Sequence, residues 1–143
     1  MLDETDRRLL DLLRENARLG ISDLARRTGL ARSTVQTRLD RLERGGAIQG
    51  YTVRLGQAAT GALVRAQVMM KVAPKAQDAV VARCRGLSAV TVLHTISGGY
   101  DLVAEVAAPD TEALDAALDS IGRMEGVERT QSSVLLSTKI NRG

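Results

Sequence analysis

The hydrophobic period of this chain changes once, and that change limits what it can fold into. Up to about residue 45 the apolar side chains recur at helical spacing. From Ala62 to Val72 they alternate instead, with Val64, Ala66, Val68, Met70 and Val72 on one face and Arg65, Gln67, Met69 and Lys71 on the other. A lone helical bundle or a lone sheet satisfies only one of these periods, so the chain is expected to be α+β, with a helical part first and a sheet-containing part second.

The helical part divides at its turn residues. In DETDRRLLDLLRENARLG, Asp3 is placed to cap a helix that buries Leu9, Leu13 and Ala17, with Gly20 as its left-handed end. In ISDLARRTG, Ser22 is the expected N-cap, Leu24 and Ala25 face inward, and Gly29 stops the helix. The third segment buries Val35, Leu39 and Leu42 and is closed by Gly45 and Gly46. Two short helices joined by TGLA carry the signature of a helix-turn-helix. The AIQGYTVRL that follows alternates weakly, as a short strand or wing does.

After Pro74 a helix with Ala76, Val80, Cys84 and Leu87 inward leads to the strand AVTVLHTI, the turn SGGY and the antiparallel strand DLVAEVA. Asp110 then caps a helix with Leu114, Leu118 and Ile121 inward, ending at Gly126, and a last strand runs through roughly Val127 to Thr138. This β-α-β-β-α-β order is the ferredoxin-like arrangement, two helices on one face of a four-stranded antiparallel sheet. The expected organisation is a winged helix-turn-helix over residues 1–55, a hinge over 56–62 where Gly56 and Gly61 flank QAAT, and a ferredoxin-like unit over 63–143. On the sheet face without helices, apolar residues such as Met69 and Leu93 predict an obligate oligomer.

Composition narrows the function. With no Phe or Trp, the core is built from Leu, Val, Ile, Ala and Met. The single Cys84 allows no intramolecular disulfide and is expected to be a small core residue. Residues 1–50 carry 10 basic against 8 acidic side chains, 51–85 carry 6 against 1, and 86–143 carry 4 against 8, an asymmetry that suits a polyanion partner. No apolar run of about 18 residues exists to span a membrane, and the N-terminus lacks the apolar centre of a signal peptide, so a cytoplasmic protein is expected. His94, the only histidine, is expected to play a structural part. The sequence holds no phosphate loop, nucleophile elbow or pair of Cys or His, so neither an enzyme nor a metal or cofactor site is expected.

Two motifs carry chemistry. The outer face of the third helix presents Arg32, Ser33, Gln36, Thr37, Arg38 and Arg41, residue types that bond to phosphate oxygens and to base edges. In TISGGYDL, paired glycines suffice for a hairpin turn of positive φ. The same loop also suits an amino-acid zwitterion, its carboxylate held by the N–H groups of Gly98 and Gly99 and its ammonium by Asp101.

LDETDRRLLDLL, LARRTGLARSTVQTRLDRLERGGAIQGYT and SGGYDLVAEV together resemble the Lrp/AsnC family of transcription regulators over essentially the whole chain. The resemblance implies that the third helix enters the major groove of double-stranded DNA with Arg32, Ser33, Thr34, Gln36, Thr37, Arg38 and Arg41. It implies too a small effector, often an amino acid, bound between dimers near Gly98, Tyr100 and Asp101, with Ser97 and Gly99 as neighbours. Thr130, Ser132 and Ser133 are added because polar side chains interrupt an otherwise apolar strand. A homodimer assembling to an octamer is implied as well; a two-fold dimer sets its recognition helices on half-sites about one helical turn, or a multiple, apart. Members usually have Ser where this chain has Ala31, which leaves the start of the third helix without its usual cap. Two other functions fit the same residues: an architectural DNA-binding protein without effector, and an interaction module whose helix-turn-helix no longer binds DNA.

Overall fold

The computed structural model describes residues 1–142, which form two compact units, 1–54 and 55–142. The first unit holds helices α1 (Glu4–Glu15), α2 (Ile21–Thr28) and α3 (Arg32–Arg44) around Leu9, Leu13, Leu24, Ala25, Val35, Leu39 and Leu42. Asp3 caps α1 as expected, and with Asp6 it forms a capping box: each carboxylate accepts the other residue's backbone N–H. Helix α2 ends in a Schellman motif, with Gly29 at φ 72° and the Leu30 N–H bonded to the Ala25 carbonyl.

Several local expectations are corrected. Helix α1 stops at Glu15 rather than near Gly20, so Ala17 is exposed; the Asn16 carboxamide accepts the Arg18 N–H and turns the chain there. Gly20 is extended and serves as the N-cap of α2, because Asp23 reaches back to its N–H in the capping role expected of Ser22. Residues 47–55 form no strand: the segment after α3 lacks a ladder partner within the chain, and it is tied back by the Ile48 N–H, which donates to the Leu42 carbonyl at 3.0 Å, and by the Tyr51 hydroxyl, which donates to Glu43 at 3.0 Å.

In the second unit a single helical turn, α4 (Gln57–Thr60), occupies the expected hinge. The sheet comprises β1 (Val64–Val72), β2 (Val90–Thr95), β3 (Leu102–Ala108) and β4 (Val127–Leu135) in the antiparallel order β2-β3-β1-β4. Helices α5 (Gln77–Arg85) and α6 (Thr111–Gly122) close one face over Ala66, Val68, Met70, Val72, Leu102, Ala104 and Val106, with Val80, Cys84, Leu114 and Ile121 supplied from the helices. Asp110 caps α6 through the Ala113 N–H, and burial pushes the Cys84 thiol pKa up, as befits a core cysteine. Helix α6 ends at Gly122 and β4 at Leu135, both short of the expected limits. Leu93 is not on the open face: it pairs with Ala104 and packs into the core, whereas Met69, Val103, Val92 and Leu135 mark the face without helices. His94, opposite Val103, is exposed there and not packed.

Candidate nucleic-acid interface and effector loop

Helix α3 starts bare. Ala31 makes no side-chain cap, and neither Ser33 nor Thr34 substitutes; the Ser33 carbonyl instead accepts the Thr37 hydroxyl at 2.9 Å. Ala31→Ser is therefore expected to stabilise the helix-turn-helix by about 1 kcal/mol, seen as a higher urea midpoint at unchanged m-value.

The arginine face is not uniformly free. Arg38 donates to Asp3 at 2.6 Å and to Asp6 at 2.9 Å, while Arg41 donates to the two oxygens of Asp6 at 3.0 and 2.8 Å. The carboxylates that cap α1 thus clamp α3 from across the unit. Asp6 is fully buried beneath the two guanidinium groups. Burial is the largest single influence on Asp6 and pushes its pKa up, but hydrogen bonds from Arg38, the Asp3 N–H and Arg41 outweigh it and hold the carboxyl below its ordinary value. For Asp3 the Arg38 hydrogen bond leads, followed by the Asp6 N–H, again lowering the pKa.

The expected DNA-facing residues therefore separate by environment. The Arg38 side chain is 25% exposed and Arg41 is 61% exposed. Arg32 donates to the Ser22 hydroxyl through both Nε and Nη2, and Gln36 donates to Asp40 at 2.8 Å. Ser33, Thr34, Thr37, Arg38 and Arg41 line one groove of about 330 Å³ that is open to solvent. Arg32 and Gln36 lie outside that lining.

The β2–β3 loop follows a different logic from a two-residue hairpin. Only Gly98 has a positive φ, 126°; Gly99 has an ordinary backbone and open space where a side chain would stand. Among the described residues, the N–H groups of Ser97, Gly98, Gly99 and Tyr100 donate no hydrogen bond. Asp101 is already engaged. Because β3 stops at Leu102 opposite Met70, the Val72 N–H has no strand partner on that side, and the Asp101 carboxylate accepts it at 2.8 Å with Lys71 Nζ 3.4 Å away. The Val72 hydrogen bond is the main reason the Asp101 pKa is lowered, with Lys71 adding to it against a smaller effect of burial. Asp101 thus pins the loop to β1, a task the sequence did not disclose.

Tyr100 reaches across β1 to β4, donating to Gln131 Oε1 at 2.9 Å, with the Arg129 guanidinium 5.1 Å from its ring centroid. Thr130 and Ser132 are on the helix side of β4, opposite Met70 and Val68, whereas Ser133 is on the open side opposite Gln67. The three do not line one site. Asp6, Ser22, Lys71, Arg129 and Gln131 also belong to these sites, in roles not expected from the sequence. The Asp-x-x-Asp spacing of Asp3 and Asp6 signals the first of these, and strand parity places Lys71 on the open face. Ser22, Arg129 and Gln131 carry no local signal, since each depends on a partner distant in sequence. The described residues offer no group of His, Cys, Asp and Glu arranged to hold a metal, and none of their helices is long and apolar enough to cross a membrane.

Three helices with a tight turn ahead of a polar, groove-lined helix, followed by a half-covered sheet, define a transcriptional regulator with a DNA-binding helix-turn-helix and a ligand-binding domain. A family model described as winged helix-turn-helix DNA-binding matches residues 2–49, and one described as the Lrp/AsnC ligand binding domain matches residues 65–143. The chain belongs to the Lrp/AsnC family of transcriptional regulators. It is 35% identical to the HTH-type transcriptional regulator LrpA of Mycobacterium tuberculosis, over 96% of this chain and 91% of the relative. Among solved structures, a transcriptional regulator from Neisseria meningitidis, determined as its L-Met complex, superposes with a TM-score of 0.90 at 27% identity, covering 99% of this chain and 94% of that one. AsnC of E. coli superposes with a TM-score of 0.92 at 23% identity, covering 100% and 97%, a likeness of fold.

Proposed function

We propose that α3 is the recognition helix of a sequence-specific regulator, with Ser33, Thr34, Thr37 and Arg41 turned to the major groove, Arg32 and Gln36 at its margins, and Arg38 holding α3 against α1. The observation that carries this is the split between the two clamped arginines. Both neutralise Asp6, but Arg41 keeps most of its surface at the rim of the groove, where a guanidinium can share a phosphate oxygen or a base edge. The β2–β3 loop, residues 97–101, binds an amino acid or similar effector. The unpartnered N–H groups of that loop and the L-Met complex of a relative support this reading. The apolar residues Met69, Val103, Val92 and Leu135 of the open sheet face support a homodimer, which the family resemblance extends to an octamer, with 56–62 as hinge and the cytoplasm, where DNA is accessible, as its location.

The test is a mobility-shift titration of the protein on its own upstream DNA at two salt concentrations, with and without a panel of amino acids. Arg41→Ala is expected to weaken binding about tenfold and to reduce the slope of log affinity against log salt by about 1. An unchanged slope would remove α3 from the phosphate contacts and favour the interaction module. DNA binding that ignores every amino acid would favour the architectural protein.

A further inference from the structure

Across β1 and β4 the sheet sets two cations directly opposite each other: Lys71 and Arg129 are register partners on the face without helices. Like charges in such a pair destabilise the ladder unless something neutralises them. Lys71 is answered by Asp101 at 3.4 Å. Arg129 is not answered. Its guanidinium lies over the Tyr100 ring at 5.1 Å and has no carboxylate or carbonyl partner among the described residues.

A cation–π contact with an aromatic ring holds a guanidinium without occupying its N–H fork, which stays free to take a carboxylate through two parallel hydrogen bonds. Tyr100 is itself fixed, because its hydroxyl bonds to Gln131. The ring therefore belongs at once to the loop with unpartnered N–H groups and to the platform beneath Arg129. The local charge is unbalanced: among the described residues the one carboxylate paired with Lys71 or Arg129 is that of Asp101, which also accepts the Val72 N–H. A neutral zwitterion would bring an ammonium group to a place already in cationic excess. A ligand with net negative charge removes the excess.

We propose that Arg129, held over the Tyr100 ring beside Lys71, anchors a ligand carboxylate, and that the effector of this protein is a small carboxylate of net negative charge, such as an acidic amino acid or a dicarboxylate. The inference rests on the loop's being the effector site.

Thermal unfolding of the full chain is measured with L-glutamate, L-aspartate, succinate, L-leucine and L-lysine, each against sodium chloride of the same ionic strength. The anionic compounds are expected to raise Tm by several degrees and the others not to. Arg129→Gln is expected to leave the ligand-free Tm within about 2 °C, the residue being exposed, and to weaken the anion's apparent affinity about tenfold. Arg129→Lys, which keeps the charge and loses the fork, should recover only part of it. Stabilisation by L-leucine as large as by L-glutamate, retained in Arg129→Gln, would overturn this proposal and leave the amino-acid effector standing. Anion stabilisation that survives Arg129→Gln would overturn it too, as a general ionic effect. If no compound exceeds its salt control, both the anion and the effector loop are overturned.

Discussion

Asp6→Ala is expected to lower the stability of the helix-turn-helix by about 2–3 kcal/mol, because it removes the one fully buried carboxylate of the unit and with it the charge-assisted hydrogen bonds that tie α3 to α1. Arg38 then keeps only Asp3, Arg41 loses both of its bonds to α1, and the Asp3 N–H loses its acceptor at the helix start. A unit of this size has little stability in reserve, so the expected result is loss of the first unfolding transition in circular dichroism and of the mobility shift together. The second unit, which shares no residue with the cluster, should melt unchanged. The pH dependence follows from the same bonds. Both carboxyls titrate lower in the folded unit than their ordinary 3.8. Their contribution is therefore fully present above about pH 4 and is lost as the pH falls through the lower native values. Asp6→Asn should flatten that acid limb while keeping much of the packing. An Asp6→Ala protein that melts and titrates like the wild type would show that the clamp holds nothing.

The elements were legible where one local signal decided them. Alternation in 64–72 and helical spacing in α1, α3 and α6 placed the core residues, since burial of a whole face is a property of a segment. Ends were harder. Gly20 carries both an end-of-helix and a start-of-helix signal, and Asp23, three residues on, decides for the start by bonding its N–H. The strand expected over 47–55 is absent for the opposite reason: the segment has strand composition, but a strand exists only with a partner. At the sites, residue types were visible and their engagements were not. Arg38 and Asp101 look like free charges in the sequence, yet each is committed to a contact some thirty residues away, Arg38 to Asp3 and Asp6, Asp101 to Val72. Leu93 went to the wrong face because β2 has a register irregularity between Val90 and Val92, which breaks the parity that alternation assumes.

Gly126→Ala is expected to be the most damaging single methyl in the second unit. The residue has φ 94°, where an L side chain is strained, and a Cβ there would stand 2.3 Å from Ala76 Cβ. Ala76 has no rotamer by which to withdraw, so the turn Pro74–Ala76 or the start of β4 must move. Movement is opposed on both sides: the Gly126 carbonyl accepts the Ala73 N–H at 2.8 Å, and Val80, 3.6 Å from the same point, is fully buried. Backbone strain of about 1–2 kcal/mol and overpacking of about 1–3 kcal/mol add to roughly 3–4 kcal/mol, which for a unit of this size lowers Tm by about 15 °C. Gly99→Ala is the matched control, with an ordinary backbone and open space, and should change stability by less than about 0.5 kcal/mol. The two causes at Gly126 separate in the double variant Gly126→Ala/Ala76→Gly. That variant removes the steric contact and keeps the strain, so it should recover part of the lost Tm. Because β4 begins at Val127 and carries Arg129 and Gln131, the same displacement reaches the Tyr100 platform. Carboxylate binding should then fall in the single variant and return in the double one; a double variant no more stable than the single one would place the whole cost in the backbone.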